Sequence, residues 1–168
     1  GTGCLAGGSG EIYRRMSELA EENPDIDVEF GPEIAHGSGP LEVKKSGCHG
    51  FCEMGPLMRI EPAGILYTKV KPEDCDEIFH RTIEKGDVIR HLLFKQDGIE
   101  YKKQEEIPFY KKQTRNVLKN CGHIDAEHIE EYISTGGYEA LEKVLFEMTP
   151  QEVVEEISAS VRKKRPAM

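Results

Sequence analysis

Tryptophan is absent, and aromatic residues make up only 7% of the 168 positions. The largest core-filling side chain is therefore missing from a chain that is 38% hydrophobic and 32% charged, so any core must be small for its length. No stretch approaches the about 18 consecutive apolar residues that span a bilayer. The opening Gly1-Thr2-Gly3-Cys4 has neither the charged nor the apolar region of a secretory signal, and a cytoplasmic protein is expected. Positive charge is also scarce. Lys and Arg number 22 against 31 Asp and Glu, and the net charge of −9 opposes binding to nucleic acid or anionic lipid. The one basic run, Arg162-Lys163-Lys164-Arg165, reads as a solvated tail. Gly7-Gly8-Ser9-Gly10 precedes a helical pattern but lacks the P-loop lysine and the dinucleotide spacing, so no phosphate cradle is assigned. The glutamates at 127, 130, 131, 152, 155 and 156 fit exposed helix faces, with no carboxylate pairing for acid–base chemistry.

What is there centres on cysteine. Cys4, Cys48, Cys52, Cys75 and Cys121 are an odd set in a chain without a secretory signal, which argues against a disulfide framework and for thiolate chemistry. Cys48-His49-Gly50-Phe51-Cys52 sets two thiols four positions apart among Gly47, Gly50 and Gly55. Glycines let backbone amides approach closely, as thiolates carrying excess negative charge require. Cys4 lies in a glycine-rich stretch expected to be a turn ahead of a helix, whose N-terminal dipole favours a thiolate. The spacing alone leaves a bound metal and unbound thiols both open. Cys75 falls on the apolar face of its helix and Cys121 beside Gly122 at a turn, so both read as structural. His49 reads as a solvated or backbone-bonded imidazole, and the histidines at 36, 80, 91, 123 and 128 make no zinc spacing.

The patterning predicts a helix carrying Ile12, Met16, Leu19 and Ala20, with Ser9 as its cap, then a strand over 26–30. A strand at Leu41-Glu42-Val43 should lead into the cysteine loop. A hairpin follows, with Leu57 to Glu61 and Ile65 to Val70 joined at Pro62-Ala63-Gly64. Pro72 should open a helix facing inward through Cys75, Ile78, Phe79 and Ile83, with Gly86 at its end. The Lys-, Glu- and Gln-rich stretch 96–112, with an Asp97-Gly98 turn, reads as a linker. Beyond it, 113–168 reads as short helices, with Asp125 as one cap and a capping box at Thr149-Pro150-Gln151-Glu152. The apolar residues there, Ile129, Tyr132, Ile133, Leu141, Val144, Leu145, Phe146 and Val153, are too few for an independent core, so an exposed apolar face is expected.

Gly1-Thr2-Gly3-Cys4, Ser46-Gly47-Cys48-His49-Gly50-Phe51-Cys52, Gly55-Pro56-Leu57, Tyr67 and Val70-Lys71-Pro72-Glu73 together resemble the thioredoxin-like 2Fe-2S ferredoxin domain. Pro108-Phe109, Lys112-Gln113, Arg115, Asn120-Cys121-Gly122, Ile124-Asp125, Tyr132-Ile133, Gly136-Gly137-Tyr138 and Met148-Thr149-Pro150 resemble the opening of the flavoprotein subunit of respiratory NADH dehydrogenase. The two in this order are similar to the flavin-bearing subunit of soluble NAD(P)-linked hydrogenases and related formate dehydrogenases. The resemblance implies an α/β fold with a thioredoxin-like mixed sheet and two helices over 1–95, its first strand outside this chain, followed by a small all-α segment.

It also implies a 2Fe-2S cluster held by Cys4, Cys48 and Cys52, with a fourth cysteine expected five positions ahead of Cys4. The family continues into a glycine-rich flavin loop where this chain instead runs from Ser160 to Met168. FMN, NAD(P) and further iron–sulfur clusters are therefore expected only in a complete subunit. The implied partners are a hydrogenase or formate dehydrogenase catalytic subunit and a small 2Fe-2S subunit, with no activity expected of this chain alone. Two alternatives stand beside electron relay. One is a structural zinc module built from the same three cysteines and a histidine, and the other a metal-free docking segment.

Overall fold

The computed structural model describes residues 2–24, 26, 41–125 and 127–163, with backbone only at 161–163. The chain divides into two compact units, Gly1–Asp125 and Ala126–Met168. The first opens with α1 (Thr2–Ala6) and α2 (Ser9–Glu22). Cys4 thus sits within a short helix and not in a turn. The break falls at Gly8, whose φ of 90° is open to glycine, and Ser9 is the first helical residue of α2 and not its cap. Ile12, Met16 and Leu19 bury one face of α2, as the helical spacing requires.

The expected hairpin forms between β1 (Met58–Ile60) and β2 (Ile65–Tyr67), antiparallel, with Ile60 opposite Ile65. β2 is buried along its length because it is paired on both sides. Beyond β1, the amide of Leu66 donates to the carbonyl of Lys102 at 2.9 Å, and that of Thr68 to Leu92 at 2.8 Å. Leu41 and Val43 pack on the core while Glu42 is exposed, the alternation of a strand, but no ladder forms there among the described residues. The strand expected over 26–30 lies outside the described residues except at Ile26.

The helical stretch that Pro72 opens changes pitch along its length. A 3₁₀ turn (Pro72–Asp74) passes into α3 (Cys75–Glu77) and then a π-helical segment (Ile78–Ile83), where the Glu84 amide reaches the Phe79 carbonyl at 3.0 Å. Cys75, Ile78, Phe79 and Ile83 all face the core, as the spacing predicts, together with α2 and the hairpin. One buried polar chain closes this end. The Ile89 amide donates to the Tyr67 hydroxyl at 3.0 Å, Tyr67 to Thr82 Oγ1 at 2.7 Å, and Thr82 to the Asp87 carbonyl at 2.8 Å.

The stretch 96–112 is not a solvated linker. Asp97 and Gly98 both take positive φ, 53° and 78°, which is the two-residue turn that joins β3 (Phe94–Gln96) to β4 (Ile99–Tyr101) as a second hairpin. Gln104, Ile107 and Tyr110 are buried, the last on α4 (Pro108–Lys111). The charged residues between them mask this spaced inward set. Asp125 is likewise no helix cap. It is 5% exposed and bridges to Ser46, so the first unit runs on to 125, well past the boundary expected at 95.

The second unit contains α5 (Ile129–Ser134), α6 (Glu139–Glu147) and α7 (Pro150–Lys163). The capping box before α7 forms, the Thr149 amide donating to Glu152 Oε2 at 2.7 Å. No residue of α5 or α6 is buried, and Phe146 is 82% exposed. Among the described residues no helix is long and apolar enough to cross a membrane. Because local stability follows the density of buried contacts, amides of α5–α7 should exchange much faster than those of 78–83 in the isolated chain. Hydrogen exchange read by mass spectrometry checks this, and equal protection would show a cooperative core that includes the helices.

Candidate metal centre

The loop 48–52 is a short rim with two thiols outward and two side chains inward. Cys48 and Cys52 are exposed, whereas His49 is 7% exposed and Phe51 is half-buried. His49 is held at both ring nitrogens: Ser46 Oγ lies 3.0 Å from Nε2 and Gln104 Oε1 2.7 Å from Nδ1. It is therefore neither the solvated nor the backbone-bonded imidazole expected from the sequence, since both partners are side chains. Burial pushes its pKa below the ordinary histidine value despite the Gln104 hydrogen bond, with Arg115 and Arg59 adding to the depression.

Phe51 stacks on Phe109 at 4.9 Å between ring centroids and meets Phe94 and Tyr110 edge-on at 5.2 and 5.5 Å. The Tyr110 hydroxyl donates to the His49 carbonyl at 3.1 Å. Tyr110's pKa is pushed up to about 12, first by burial, then with Arg115 opposing and the Cys48 and Cys52 thiols adding to the rise. The phenol therefore stays neutral at physiological pH and serves as a fixed strut beneath the loop.

Glycines shape the surroundings of the thiols. At Gly50, with φ of 78°, the chain reverses and its amide points at the Cys48 sulfur at 3.4 Å. Gly55 ends the 3₁₀ turn begun by Cys52, and a Cβ there would sit 2.7 Å from the Cys4 sulfur and 3.4 Å from the Cys52 carbonyl. The Cys4 thiol thus reaches the Cys52 turn only because position 55 has no side chain. Among the described residues, however, no group of three or more His, Cys, Asp or Glu side chains is set to hold a single metal ion. Cys48 and Cys52 lie on one loop and the Cys4 sulfur, on α1, lies against Gly55 just past it, without the three closing into such a site.

Cys75 is fully buried and its thiol pKa is pushed up to about 11, first by burial and then by Asp76 and Asp74. It is the inert core thiol that its helical position predicts. Cys121 is less remote than its sequence position suggests. A Cβ on Gly47 would lie 3.0 Å from its sulfur, one residue from Cys48. Together with the Ser46–Asp125 bridge, this places the 120–125 turn against the cysteine loop. The signal for it in the sequence was Gly122, whose φ of 88° brings its backbone against the His49 ring.

No family model matches the chain. It is 28% identical over 90 residues to a protein described as "Ferredoxin, 2Fe-2S" from Aquifex aeolicus, covering 54% of this chain and 71% of that protein. It is 36% identical over 55 residues to a "Ferredoxin, 2Fe-2S" from Clostridium pasteurianum, 33% of this chain and 54% of that one. The first unit is similar to 2Fe-2S ferredoxins. A stretch of 50 residues is 54% identical to "NADP-reducing hydrogenase subunit HndC" from Solidesulfovibrio fructosivorans, 30% of this chain but 10% of that protein. Among solved structures, the thioredoxin-like [2Fe-2S] ferredoxin from Aquifex aeolicus aligns at a TM-score of 0.45 and 27% identity, over 55% of this chain and 80% of its own.

A Cβ at Gly122 would meet His49 Cε1 at 2.5 Å in a backbone conformation that side chains disfavour. Gly122→Ala should therefore destabilise the first unit by more than about 1 kcal/mol, read as a lowered midpoint in urea. An unchanged midpoint would show that the turn does not bear on His49.

Proposed function

We propose that the first unit is a one-electron relay carrying a 2Fe-2S cluster on Cys4, Cys48 and Cys52, with a fourth ligand outside these three. The observation that supports it most directly is the Cys4 sulfur seated against Gly55, in the turn that Cys52 begins. The donor set fits. Three thiols suit iron–sulfur coordination, and a two-iron cluster takes its ligands as separate pairs, so a single-ion arrangement is not required. When bound, such a cluster takes up and releases one electron at a time. Around it, the Gly50 amide donates toward the Cys48 sulfur and stabilises the thiolate. Phe51, pinned among Phe94, Phe109 and Tyr110, keeps water from the inner side of the loop.

The likeness to HndC supports placing this unit in the flavin-bearing subunit of a cytoplasmic NAD(P)-linked hydrogenase or related formate-oxidising complex. There it would pass electrons among partner subunits and catalyse no reaction by itself. A zinc module is the weaker reading. Both nitrogens of His49, the histidine within the loop, are already hydrogen-bonded, so recruiting it as a ligand would break two buried contacts.

In anaerobically reconstituted protein, Cys48→Ser and Cys52→Ser should abolish or strongly alter the visible absorption, while Cys75→Ser lowers stability and leaves the spectrum unchanged. Gly55→Ala is the finer test. The backbone there, at φ −75°, accepts any residue, so the fold should survive while the Cys4 sulfur is displaced. Its visible spectrum should therefore change at unchanged helix content. A wild-type spectrum in Cys48→Ser would contradict the ligand assignment.

A further inference from the structure

Arg115 stands out among the cations of the first unit. It follows α4 in a stretch without regular structure, and its guanidinium carbon lies 6.0 Å from the centroid of the Tyr110 ring. Its Nη2 is buried and makes no hydrogen bond among the described residues. An N–H on a charged group is rarely left without an acceptor, because water has been given up and nothing replaces it. The Tyr110 ring that it faces is itself fixed to the cysteine loop, through the hydroxyl to the His49 carbonyl at 3.1 Å and through the edge-on contact with Phe51 at 5.5 Å. Tyr110 therefore joins the cation to the backbone between the two loop thiols.

We propose that Arg115 sets the reduction potential of the cluster by holding a fixed positive charge behind the Cys48–Cys52 loop. This rests on the reading of the loop as a cluster site. The opposed effects of Arg115 and of the two thiols on the Tyr110 phenol agree with their gathering around one ring. One-electron reduction of the cluster, by a flavin or by dithionite, adds one negative charge to the loop while the donor loses one electron. A nearby cation is attracted more strongly to the reduced form than to the oxidised form, so it raises the potential. Burial of Nη2 beside the Tyr110 ring makes salt screen the charge less than it would a fully exposed cation.

The test is a redox titration of the reconstituted full chain, followed by visible absorption and by the electron paramagnetic resonance of the reduced cluster. Arg115→Gln should load iron as the wild type does and keep its g values, while the equilibrium constant for reduction falls about tenfold, about 59 mV for one electron. Arg115→Lys should restore most of the shift, because the charge and not the planar fork is what acts. Arg115→Met provides a second neutral variant should Arg115→Gln load poorly. A neutral variant with the wild-type potential would overturn the proposal, as would equal shifts in the Lys and Gln variants. A wild-type chain that binds no iron and sulfide would be recognised before any variant is made, and would remove the cluster reading together with this inference.

Discussion

The buried imidazole of His49 is the contact on which the cysteine loop depends. A five-residue loop with two exposed thiols has little reason to hold one shape, since its glycines favour freedom and its outward side chains pack on nothing. His49 removes that freedom by reaching inward to Ser46 and Gln104, and Tyr110 fixes its carbonyl from below. Thiols presented on a rim with a fixed underside can receive a cluster without reorganising the fold. That is what fast single-electron exchange asks of a protein.

The same economy governs the rest of the first unit. With no tryptophan and few aromatics, its core is two small clusters, one around α2, the first hairpin and the helix through Phe79, the other under the loop through Leu66, Phe94, Ile107 and Tyr110. β2 serves both: Ile65 and Tyr67 face the first cluster and Leu66 the second. The alternation of one strand therefore links the structural core to the underside of the candidate metal centre. Among the described residues the second unit has no comparable centre, and its helices leave Leu145, Phe146 and Ile157 in solvent.

Much of this was legible from residue spacing. The first hairpin, the α2 face, the inward set Cys75, Ile78, Phe79 and Ile83, and the Thr149 capping box all follow from local patterns that the structure reproduces. The misreadings share a cause, which is that a non-local contact decided the outcome. Residues 96–112 look solvated because Gln104, Ile107 and Tyr110 are spaced among charges, yet Ile107 and Tyr110 bury in one cluster with Leu66 of β2 and Gln104 meets His49. Asp125 has the chemistry of a helix cap, but its backbone bridges to Ser46 and the next helix begins only after His128. Cys121 carried no local sign of its place against Gly47, nor Arg115 of its place over the Tyr110 ring, and only the turn at Gly122 could have hinted at the first.

The central claim is that these thiols hold iron and sulfide, and direct analysis of the metal and acid-labile sulfide in anaerobically prepared chain tests it. The account predicts about two iron and about two sulfide per loaded chain, with no zinc. Stoichiometric zinc without sulfide, or a fully folded chain that retains neither metal when reconstituted with a small thiol in excess to supply the fourth ligand, would contradict it.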